Sequence, residues 1–91
     1  MRAQDTNGEA ADALALRALV WTLAEPQRAM RLLDTTGLAP HDLRTRIGEP
    51  SVLAAALLFL ESYEPDLIAC AESLGVPPAA LVDARATLET L

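Results

Sequence analysis

Along most of this chain apolar residues recur at three- and four-residue intervals, the spacing that covers one face of an α-helix. Leu16, Leu19, Val20 and Leu23 form the first such stripe. Val52, Ala56, Phe59, Leu60 and Tyr63 form the fullest one, widened by Leu53 and Leu57. Leu67, Ala71 and Leu74 make a third, and Leu81, Ala84, Leu88 and Leu91 a fourth. A short segment offers only Leu43 and Ile47. Prolines open these segments: Pro26, Pro40, Pro50, Pro65 and Pro78 each stand where a helix begins, a position that needs no backbone N–H. Gly37, Gly48 and Gly75 each follow a segment, where a left-handed C-cap is expected. The pattern predicts six helices, at about 9–24, 26–35, 40–47, 50–62, 65–74 and 78–90. Glu25, Glu49 and Glu64 precede prolines and put negative charge at helix N-termini, which the helix dipole favours.

The punctuation repeats. Leu19 to Pro26 parallels Leu58 to Pro65, and the run from Gly37 to Leu43 parallels Gly75 to Leu81. Each half reads as a helix, Glu-Pro, a short helix, then Gly-apolar-x-Pro opening a third. The expected architecture is therefore an all-α, compact single-domain bundle of about six short helices, either arranged as two three-helix units or, if the match is only generic helix punctuation, without internal symmetry. Residues 9–91 form the domain and 1–8 a flexible N-terminal tail. Helices 1 and 4 carry the largest apolar faces, which places Leu16, Leu23, Phe59 and Leu60 among the most buried side chains.

Composition agrees with helices. Ala and Leu dominate, whereas the chain has two Ile, four Val and three aromatic residues in 91. The net charge is −6 and all seven basic residues are arginine. That acidity argues against nucleic acid and anionic membranes as partners. The longest apolar run, 52–60, is about half a membrane span. No apolar signal core follows the N-terminus, and a single cysteine fits a reducing compartment, so a cytoplasmic location is expected.

Little in the chain could run chemistry. His41 is the only histidine, and Cys70 sits in the mid-helix run Ile68-Ala69-Cys70-Ala71, where it reads as a small buried hydrophobe. A Cys70–His41 dyad would require the two to meet. One Cys and one His do not make a zinc site. Glu61 and Glu64 read as solvated charges, and no glycine-rich phosphate loop is present. No catalytic residue, metal or cofactor is expected, and the protein reads as a non-enzyme.

Three features bear on binding. Ala71 to Leu81 resembles a helix-turn-helix core, yet its second helix turns Ala79, Ala80, Asp83, Ala86, Thr87 and Glu89 outward, with Arg85 its one basic residue. Arg, Lys, Asn or Gln for reading bases are missing. Arg28, Arg31, Arg44 and Arg46 concentrate four of the seven arginines in two short helices, either as a solvated mixed-charge face or as a dock for an acidic partner. Leu14 and Trp21, seven residues apart, project almost opposite the main stripe of helix 1. Either another helix of the chain, such as helix 6, covers them, or they form a dimer or partner surface anchored by the indole.

Ala13-Leu14-Ala15-Leu16-Arg17-Ala18-Leu19, the run Gly37 to Arg44, the pair Glu49-Pro50 and Gly75-Val76-Pro77-Pro78 are similar to a bacterial family of small domains of unknown function, numbered three-five-seven-two. The resemblance covers about residues 9–90. It departs at Ala39, where a capping Ser or Asp is usual. It implies a compact helical fold and transfers no functional residue. The function itself stays unknown: the leading expectation is a non-enzymatic protein-interaction or regulatory module, with a protein partner or a homodimer. The alternative is a divergent helix-turn-helix DNA-binding protein.

Overall fold

The computed structural model describes the chain from residue 7 to residue 91, with side chains from residue 10. It contains six helices: α1 (Asn7–Leu23), α2 (Pro26–Thr36), α3 (Pro40–Arg46), α4 (Pro50–Glu61), α5 (Glu64–Leu74) and α6 (Pro78–Glu89). Proline occupies the first residue of α2, α3, α4 and α6 and the second of α5. The expected tail lies partly outside the described residues, and Asn7 and Gly8 belong to α1.

Capping follows the chain's polar and glycine punctuation at some ends only. The Glu25 carboxylate accepts a hydrogen bond from the Arg28 backbone N–H at 2.9 Å, closing the start of α2. Gly37 and Gly75 end α2 and α5 at φ 76° and 74°, a left-handed conformation in which a Cβ would be strained. Gly48 differs from expectation: it lacks a positive φ, and α3 ends through Ile47 in right-handed geometry. Ala39 offers α3 no side-chain cap.

Three helices make the centre. α4 and α6 pack extensively on each other, α1 packs on both, α2 lies against α1 and α4, and α5 against α1, α4 and α6. α4 buries seven residues, Val52, Leu53, Ala54, Ala56, Leu57, Phe59 and Leu60. α6 contributes Leu81, Ala84 and Leu88. α3 contributes only Leu43. The two halves thus share punctuation but not packing, because α6 enters the core while its counterpart α3 lies at the edge.

The buried face of α1 is not the one its bulk suggests. Ala11, Ala15, Ala18, Leu19 and Thr22 are buried, a stripe with intervals of four, three and four from Ala11 to Thr22. Small side chains let the neighbouring backbones approach, and Thr22 satisfies its hydroxyl by donating to the Ala18 carbonyl at 2.9 Å. Of the expected stripe only Leu19 is fully buried. Leu23 is half-buried, and Leu16 and Val20 are 42% and 60% exposed. Both stripes have helical period; the face with better steric fit, not the larger side chains, enters the core. Similar corrections apply at element ends: Tyr63 and Leu91 are exposed, and Leu67 and Leu74 are half-buried.

Candidate interaction surface

Leu16 and Val20 stand four residues apart and so lie along one line of α1. Leu16 borders two clefts. One, of about 350 Å³, is lined by Asp12, Ala13, Leu16, Ile47, Gly48 and Leu53. The other, of about 440 Å³, is lined by Leu16, Arg17, Val20, Trp21, Ser73 and Leu74. The result is an aliphatic ridge on which Leu16 borders both apolar depressions and Val20 the second. A second ridge on α4 carries the exposed Leu58 between a groove of about 610 Å³, with Glu49 and Glu89 among its lining residues, and one of about 350 Å³ beside Thr35 and Ser62. It presents one large aliphatic side chain where α1 presents two.

Arginines hold the α1 ridge in place. Arg17 Nη2 donates to the Leu74 carbonyl at 3.0 Å, tying α1 to the end of α5 and satisfying a carbonyl that the helix leaves open. Arg28 Nη2 donates to the Trp21 carbonyl at 2.8 Å, and its guanidinium lies 3.7 Å from the centre of the Trp21 ring. A cation over an indole face is attracted by the ring quadrupole. Trp21 is therefore half-buried, closed on one side by Arg28 and bordering the second cleft on another. Among the described residues two buried side-chain polar atoms lack hydrogen-bond partners: Arg28 Nε and, at the first cleft, Asp12 Oδ1.

The other sequence candidates do not gather into one site. Leu14 is half-buried and shares a cleft with Ala80, Asp83, Ala84 and Thr87 of α6. Leu14 lies beside α6 whereas Trp21 is stacked by Arg28 and borders the second cleft, so one helix does not cover both. Arg31 pairs with Asp66 at 3.0 Å and lies 5.7 Å from the ring centres of both Phe59 and Tyr63. Arg46 pairs with Glu49 at 3.0 Å, and Arg44 is exposed. Three of the four clustered arginines are thus engaged within the domain. The ridge of Leu16 and Val20 was missed because bulky residues were assigned to the core; the signal available was the competing Ala-rich stripe.

The remaining polar candidates differ in setting. His41 is exposed on α3, whereas Cys70 is fully buried in α5. Burial pushes the Cys70 thiol up to about 11, against the opposing pull of Arg28 and Arg17. Glu61 is not a solvated charge: it accepts from Arg85 Nε of α6, and Arg85 Nη1 reaches Glu89 at 2.6 Å. The hydrogen bond to Glu61 is the main reason the Arg85 pKa lies above its ordinary value. Among the described residues no three His, Cys, Asp or Glu side chains converge. Nor is any single helix there long and apolar enough to cross a membrane.

The fold is that of an all-α single domain, packed around α1, α4 and α6. Residues 8–90 match the model of the family described as "Protein of unknown function (DUF3572)", and the chain belongs to that family. Comparison with the curated proteins and with the solved structures gives no match.

Proposed function

We propose that this domain is a non-enzymatic protein-interaction module of the cytoplasm that docks an amphipathic helix of a protein partner on the Leu16–Val20 ridge. One observation carries the reading: two exposed aliphatic side chains on the same line of a central helix, Leu16 bordering two apolar clefts and Val20 the second of them. Single exposed hydrophobics are ordinary. A ridge between grooves is the shape on which a second helix packs, its own ridges entering the grooves. Trp21 at the edge supplies a rigid aromatic wall of the type found at binding anchors. Site-specific photocrosslinking tests this. A benzophenone side chain at Val20 should give one reproducible protein adduct in the native cell, and Leu16→Glu should abolish it. The same group at Asp83, exposed on α6, should not give that adduct. An adduct shared by both positions, or one that survives Leu16→Glu, would refute the ridge as the docking surface.

The helix-turn-helix reading has one observation in its favour, the 99° angle between α5 and α6, within the range of about 90–120° for that motif. The chemistry supports the opposite proposal, that nucleic acid is not the partner. α6 spends Leu81, Ala84 and Leu88 on the core, and its Arg85 is held by Glu61 and Glu89. Fluorescence anisotropy with randomised duplex DNA at physiological salt should detect no sequence-selective binding; selection of one sequence with a Kd near 10⁻⁸ M, the usual specific range, would reverse the proposal.

A further inference from the structure

We draw no further inference here: the strongest candidate, the face of α4 where the exposed Leu58 borders two grooves, carries nothing because nothing in the structure shows what covers it.

Discussion

Leu60→Ala is expected to lower the free energy of unfolding by about 2–5 kcal/mol, the cost of removing buried methylenes and leaving a cavity. Leu60 is fully buried in the middle of the core, on the helix that packs against α1, α2, α5 and α6. Several helices would have to shift together to fill the void, which favours the upper part of the range. Small domains have only about 5–15 kcal/mol in total, so a substantial unfolded population should follow. Urea denaturation followed by far-UV circular dichroism measures it. Leu58→Ala, two residues away and 51% exposed, is the control and should cost less than about 1 kcal/mol. A loss below about 1 kcal/mol for Leu60→Ala itself would show that α4 is not central.

The helices were legible because their ends carry chemistry of their own. Pro26, Pro40, Pro50 and Pro78 open helices where a missing N–H costs nothing, and Gly37 and Gly75 close them where a side chain would be strained. Gly48 looked the same in sequence and behaves differently, because α3 ends at Ile47 without a left-handed turn. Punctuation therefore marks where a helix stops more dependably than how.

Faces were harder to read. α4 is apolar nearly all round and seven of its residues are buried, so periodicity had little to decide. On α1 two stripes compete, and the Ala11–Ala15–Ala18–Thr22 line wins over the bulkier Leu16–Val20 line. A preference of that kind depends on how closely α4 and α6 approach, which is information held by three helices at once. The arginines show a related limit. Counting charge suggested a patch, whereas Arg28 stacks on Trp21 across the Glu25–Pro26 corner and Arg31 spans to Asp66 on α5. Each contact joins separate elements, and neither could be inferred from local spacing.

The proposed docking surface requires that α1 turn Leu16 outward and Leu19 inward. Paired unfolding measurements on Leu16→Glu and Leu19→Glu test that orientation most directly. Leu19 is fully buried among apolar groups, and a carboxylate there would be desolvated at a cost of several kcal/mol, comparable to the whole stability of a small domain. Leu16 is 42% exposed on a ridge, so a glutamate there can reach water. Leu19→Glu should abolish the cooperative unfolding transition and Leu16→Glu should keep it, within about 1 kcal/mol of the parent. Equal damage from the two substitutions would place Leu16 in the core and contradict an outward-facing ridge.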